Sequence, residues 1–190
     1  MAGNGDPPAV PAFLALGDSY TIGEGVDPAG RWPMQLAAAL RADGLAIGVP
    51  RVIATTGWTS DELDAGVDAA HAQDPIGMDH ALVSLLVGVN NQYRERPLDE
   101  FRMQFAALLQ RAIGFAGDEP QRVLVLAIPD WGVTPFAFAQ SRDSALVAAQ
   151  IDAFNAVCRE EAARAGAHWV DIGPVSRERG GEVAMLVHDG

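Results

Sequence analysis

The sequence predicts one three-layer α/β/α domain built on a sheet of five parallel strands. Three observations carry that expectation. Five short apolar runs are bounded by Gly, Pro or Asp, and longer segments of helical period lie between them. The chain has 190 residues, 49% of them hydrophobic, which suits a single domain with a full-sized core. Runs that are apolar throughout suit strands covered on both faces, and strand alternating with helix implies a parallel sheet with right-handed crossovers.

Met1–Pro11, rich in Gly, Pro and Ala, reads as a flexible lead-in to a domain spanning residues 12–190. It carries no Lys or Arg ahead of an apolar stretch, as a secretory signal would, so a cytoplasmic location is expected. The first strand is Phe13–Leu16. Arg31–Asp43 follows as a helix, with Pro33 near its start and Gly44 after its end. Arg51–Ala54 is the second strand and Ser60–Gln73 the second helix. Ala81–Val87 is the third strand. After it, Phe101, Phe105, Leu108, Leu109, Ala112 and Ile113 fall on one face of a helix at three- and four-residue steps. Arg122–Ile128 is the fourth strand, and Val147, Ile151, Phe154 and Cys158 mark the face of another helix, on which Cys158 is a buried small hydrophobe. His168–Ile172 is the last strand.

Composition excludes several classes of function. The formal charge of −12 repels phosphate backbones and anionic lipid surfaces, so no nucleic-acid partner is expected. The longest apolar runs are far too short to span a bilayer. A single cysteine makes neither an intrachain disulfide nor a thiolate cluster.

In such a sheet the chemistry sits where strands end at their carboxyl edge. The first strand runs into Gly17-Asp18-Ser19-Tyr20, where a glycine turn presents a serine near backbone N–H groups that can receive an oxyanion. The plainer alternative is that Asp18 or Ser19 only caps a helix. A phosphate cradle at Gly23-Glu24-Gly25 is disfavoured, since Pro28 stands where the third glycine of a dinucleotide fingerprint belongs and Glu24 would face the phosphates. The second strand is followed by Gly57, a turn glycine or a backbone donor to the same oxyanion. The third is followed by Gly88-Val89-Asn90-Asn91, in which Asn90 is either an Asx-turn or a side-chain oxyanion donor. The fourth ends in a loop with Trp131 and Phe136, which either wall a substrate pocket or cap the core. Asp130, in the same loop, has no identified partner and reads as a turn or cap residue.

In composition and order, Gly17-Asp18-Ser19, the lone Gly57 and Gly88-Val89-Asn90-Asn91 resemble the blocks of the SGNH, or GDSL-type, serine hydrolases. The resemblance covers nearly the whole chain and implies a flavodoxin-like sheet. It also implies Ser19 as nucleophile and an oxyanion hole made by the Ser19 N–H, the Gly57 N–H and the Asn90 side chain. Asn91 departs from the family's usual aspartate at a supporting position. The closing block of the family is Asp-x-x-His, and Asp189-Gly190 match its first two positions. The catalytic histidine would then fall two residues past Gly190, followed by a C-terminal helix absent from this chain, so the sequence is expected to be a fragment of a longer one. His188 is adjacent to Asp189 and would point away from it, His71 ends a helix, and His80 and His168 open strands at the opposite edge of the sheet.

These roles imply a serine esterase or acylhydrolase acting on a small-molecule ester through an acyl-enzyme, with no metal or organic cofactor. The resemblance leaves esters, thioesters, acetylated sugars and lysophospholipids open as substrates. A non-catalytic flavodoxin-like binding module remains the rival reading. A receiver domain is excluded by the absence of lysine.

Overall fold

A computed structural model describes residues 10–182 and 185–187. The five apolar runs form the strands β1 (Phe13–Gly17), β2 (Arg51–Ala54), β3 (Leu82–Leu86), β4 (Val123–Leu126) and β5 (His168–Val170). All pair in parallel in the order β2-β1-β3-β4-β5, the flavodoxin-like arrangement. β2 coincides with its apolar run and β1 extends one residue past its own, whereas β3, β4 and β5 are shorter than theirs. A 3-10 turn at Pro120–Arg122 takes the start of the fourth run, and β5 stops after three residues, although Ala127 N–H still donates to the Val170 carbonyl.

The eight helices among the described residues are α1 (Ser19–Ile22), α2 (Trp32–Ala42), α3 (Ser60–Gln73), α4 (Val89–Tyr93), α5 (Leu98–Phe115), α6 (Pro135–Ala139), α7 (Ser144–Ala165) and α8 (Gly173–Arg179). The long ones follow the predicted periodicity. The short ones, α1, α4, α6 and α8, span one or two turns, too few for an apolar stripe to show in sequence. Local signals set the boundaries. Thr59 and Glu62 form a reciprocal capping box that starts α3, and Asp143 accepts the Ala145 and Leu146 N–H groups to start α7.

Side chains alternate across the sheet, so each strand feeds two cores. On one face Leu14, Leu16, Ile53, Val83, Leu85, Val123 and Val125 pack under α3, α5 and α7, with Phe101, Phe105 and Leu109 fully buried between. On the other, α2 covers Phe13, Ala15, Val52 and Leu82 through Trp32, Leu36, Ala37 and Leu40. Leu124 and Leu126, on the α2 side of β4, are only half-buried, whereas Val123 and Val125 on the opposite face are fully buried.

The predicted lead-in, residues 1–11, falls mostly outside the described residues. The carbonyl of Pro11 already accepts the Gly48 N–H, just before β1. Cys158 is buried in the α7 core, and burial pushes its thiol pKa upward, so it behaves as the small hydrophobe its position predicts.

Candidate active site

Register brings three strand ends to one level. Gly17, the last residue of β1, pairs with Ala54 on one side and Leu86 on the other, the last residues of β2 and β3. With neighbouring strands about 4.8 Å apart, everything that follows these residues opens into one crevice about two strand spacings wide. Ser19, Gly57 and Asn90 lie two to four residues beyond those ends, and all three are half-buried.

Ser19 opens α1. Asp18 caps the helix, its Oδ1 accepting the Tyr20 N–H at 3.1 Å, so the cap reading of Asp18 holds while Ser19 is left free. Neither the Ser19 N–H nor its hydroxyl has a partner among the described residues. Asp18 is fully buried, and its Oδ2 has no hydrogen bond; the neighbouring Thr21 Oγ1 is equally bare. Burial raises the Asp18 pKa from 3.8 to about 7, an effect only partly offset by the Tyr20 and Gly88 N–H groups that face it. Burial, and then the charges of Asp18 and Asp130, also push the Tyr20 phenol upward.

Gly57 sits at φ +85°, a left-handed conformation that favours glycine. Its N–H has no acceptor among the described residues, while its carbonyl accepts from Arg94 Nη2 at 2.6 Å. Gly88, at φ +132°, has no room for a side chain: a Cβ would lie 2.8 Å from Ile128 Cδ1. The turn it makes delivers Asn90 across the crevice, where one amide N–H donates to the Trp58 carbonyl at 2.9 Å and the other remains unspent. Asn90 is therefore latched to the residue that follows Gly57, not folded into an Asx-turn. Asn91 points the opposite way and is buried: its Oδ1 accepts the Ser60 N–H at 3.0 Å and its Nδ2 donates to Ser60 Oγ at 2.8 Å. The unusual asparagine thus ties the start of α3 to α4.

Trp131 both caps the core and lines a surface cleft, whereas Phe136 does neither. Trp131 is 6% exposed, packs in the core and also lines a surface cleft. Phe136 is 38% exposed and meets Trp131 edge-on at 6.0 Å, outside the cleft lining. Asp130 does cap, as its reading as a turn or cap residue expects, and it has a charged partner besides. Its Oδ1 caps Gly132 and its Oδ2 accepts from Arg177 Nε at 2.8 Å, while Arg177 also reaches Asp152 at 2.7 Å. That clamp joins the β4 loop, α7 and α8. Sequence reasoning could not see it, because its members lie 22 to 47 positions apart in sequence with no local pattern linking them.

The described histidines are engaged elsewhere. His71 Nδ1 accepts the Ile76 N–H, and buried His80 lies 3.0 Å from the Phe115 carbonyl. His168 begins β5, at the opposite edge. His188 and Asp189 lie outside the described residues. Just before them, Val187 packs on Gly25, where a Cβ would meet its Cγ1 at 3.0 Å, so the chain has returned to the segment carrying Ser19.

The GDSL-like lipase/acylhydrolase family model matches residues 15–190. The chain belongs to that family. Membership makes it a carboxylic ester hydrolase, and its matched span includes every strand end described above. No curated protein sequence matches it significantly. Among solved structures it is similar to TesA (TM-score 0.67, 23% identity, covering 94% of this chain and 87% of that one). It is also similar to AlinE4, an SGNH-hydrolase family esterase (TM-score 0.69, 18% identity, 97% and 87% covered). A third is Axe2, an acetylxylan esterase from Geobacillus stearothermophilus (TM-score 0.64, 18% identity, 89% and 80% covered). At these identities the likeness is one of fold. Among the described residues, no group of His, Cys, Asp or Glu is arranged to hold a metal ion and no helix is long and apolar enough to cross a membrane.

Proposed function

We propose that this GDSL-family hydrolase cleaves its ester through an acyl-enzyme on Ser19. The observation that carries the reading is the shared level of the ends of β1, β2 and β3, which gathers Ser19, Gly57 and Asn90 in one crevice with their donors unspent. Ser19 Oγ attacks the carbonyl carbon. The Ser19 N–H, the Gly57 N–H and the second Asn90 amide N–H receive the negative charge that develops on the carbonyl oxygen. A serine hydroxyl is a weak nucleophile unless a base takes its proton. In the family's Asp-x-x-His block, whose first two positions Asp189-Gly190 match, that base is the histidine, and the aspartate carboxylate holds its imidazole in the right tautomer. The return of Val187 to Gly25 supports that assignment, and so does the engagement of His71 and His80 elsewhere. Collapse of the tetrahedral intermediate breaks the ester C–O bond as the base returns its proton to the departing alcohol. Water, deprotonated by the same base, then attacks the acyl carbon and releases the acid, and the proton returns to Ser19 Oγ.

The test uses the natural full-length protein. A fluorophosphonate should label Ser19, located by peptide mass spectrometry, and Ser19→Ala should lose hydrolysis of p-nitrophenyl acetate. Turnover retained by Ser19→Ala would end the assignment.

A further inference from the structure

The loop that carries Gly57 is gripped twice from α4, one helical turn apart. Asn90 donates to the Trp58 carbonyl at 2.9 Å. Arg94, four residues later and so on the same side of the helix, donates through Nη2 to the Gly57 carbonyl at 2.6 Å. The other arm of its guanidinium meets Glu62 in α3, with Nη1 3.1 Å and 3.3 Å from the two carboxylate oxygens. Glu62 in turn accepts the Thr59 N–H at 2.9 Å and the Thr59 hydroxyl at 3.0 Å. The stretch from Gly57 to Thr59 is thereby closed into a ring that runs from the Gly57 carbonyl through Arg94 and Glu62 back to the Thr59 N–H.

Trp58, inside that ring, is fixed independently. Its N–H donates to the Thr55 carbonyl at 3.3 Å, and its indole lies on Gly66 of α3, where a Cβ would overlap the ring. Around Gly57 the space is open. A Cβ there would come within 4 Å of one group beyond its chain neighbours, Arg94 Nη2 at 3.7 Å. Packing therefore does not hold this glycine, and at φ +85° it has no side chain to stiffen its torsions. The hydrogen bond from Arg94 is what restrains it.

Stability does not account for the arrangement. Arg94 and Glu62 are 42% and 40% exposed, and an exposed ion pair adds little to a fold. Direction does account for it. A guanidinium is planar with its donors in a fixed fork, so a nitrogen tied to Glu62 dictates where the other one points. Holding the Gly57 carbonyl fixes the peptide plane on one side of the glycine, and with it the direction of the N–H on the other. We propose that Arg94 is a positioning residue for the oxyanion hole: braced by Glu62, it grips the Gly57 carbonyl and so keeps the Gly57 N–H aimed into the crevice. The catalytic consequence rests on the Ser19 reading, while the restraint on Gly57 does not.

Arg111 supplies the control. It clamps the same helix α3 from α5, through Asp64 and Asp68, and makes no hydrogen bond to the loop. Arg94→Ala and Arg111→Ala are compared in the natural full-length protein, each checked for a retained thermal unfolding transition. Arg94→Ala should lower kcat for p-nitrophenyl acetate about tenfold with KM little changed, a smaller loss than removal of a donor outright. It should slow the labelling of Ser19 by a fluorophosphonate to a similar degree, and Arg111→Ala should alter neither. Amide relaxation NMR should give Gly57 an order parameter of about 0.85, as in rigid backbone, falling below about 0.6 in Arg94→Ala alone. An unchanged kcat or an unchanged Gly57 order parameter in Arg94→Ala would overturn the inference, and so would an equal loss of kcat in Arg111→Ala. Failure of the Ser19 reading would look different, as undiminished turnover in Ser19→Ala with the Gly57 amide still loosened by Arg94→Ala.

Discussion

Replacing Asp18 by asparagine should make the protein more stable in mild alkali and flatten its stability against pH. Asp18 is fully buried one residue before the proposed nucleophile, with Oδ2 unbonded and a pKa raised from 3.8 to about 7 by burial. The folded state therefore holds the proton more tightly than the unfolded chain. Stability from this group is complete below pH 3.8, falls as pH rises and is lost once pH passes about 7. The move from 3.8 to about 7 corresponds to about 4 kcal/mol in all, of which about 2–3 kcal/mol is lost between pH 5 and pH 8. Urea unfolding at half-unit steps across that window should show the wild-type free energy declining relative to Asp18→Asn, whose neutral amide keeps an oxygen for the Tyr20 N–H. The other carboxylates titrate alike in both proteins and cancel in the difference. Parallel curves from pH 5 to 8 would mean that the folded protein tolerates the Asp18 anion, and the argument from desolvation would fail.

Three further outcomes are expected. Asn90→Ala should lower kcat for p-nitrophenyl acetate by about 10²–10³ in the natural full-length protein, with KM little changed, because the lost donor acts on the developing oxyanion. Arg177→Ala should destabilise the fold by about 1.5–3 kcal/mol in urea unfolding, since it leaves the buried Asp130 carboxylate without its charged donor; the partial exposure of Arg177 holds the cost below that of a fully buried pair. Asn91→Ala should cost about 1–3 kcal/mol by the same measurement, by leaving the buried Ser60 N–H unpaired. Asn91→Asp should cost less, because a carboxylate can accept from both the Ser60 N–H and its hydroxyl.

What was legible in the sequence depended on the range of the interaction. Ser60–Gln73 coincides with α3 because its apolar stripe and its capping residues are all local. Phe101 through Ile113 pointed to α5 for the same reason, and all of the predicted face is buried. The ends of the fourth and fifth strands were overdrawn, because strand length is set by where a neighbour stops pairing, and β5 has β4 on only one side. In the site, Gly17, Gly57 and Gly88 marked the turns, but the direction of each asparagine did not follow from adjacent positions. Asn90 crosses to Trp58 and Asn91 to Ser60, contacts more than thirty residues long that only the parallel register creates. The Asp130–Arg177–Asp152 clamp and the Trp131–Gln92–Gln150 relay were invisible for the same reason.

The same geometry explains how one short helix serves the crevice and the core at once. α4 is five residues long, and its consecutive side chains fan out in three directions. Asn90 reaches over the β2 end, Asn91 drops into the core beside α3, and Gln92 turns toward α7. Asn91, fixed from two atoms of Ser60, sets the rotation of that short helix, and the other two follow from it. A shift at Asn91 should therefore disturb the oxyanion donor and the Trp131–Gln92–Gln150 hydrogen bonds together, whereas a change at Gln150 should disturb those hydrogen bonds alone. Comparing Asn91→Ala with Gln150→Ala separates these cases: the first should lower kcat on ethyl acetate, and the second should leave it unchanged. An Asn91→Ala protein that stays folded with ordinary kcat on ethyl acetate would show that α4 keeps its rotation without this anchor.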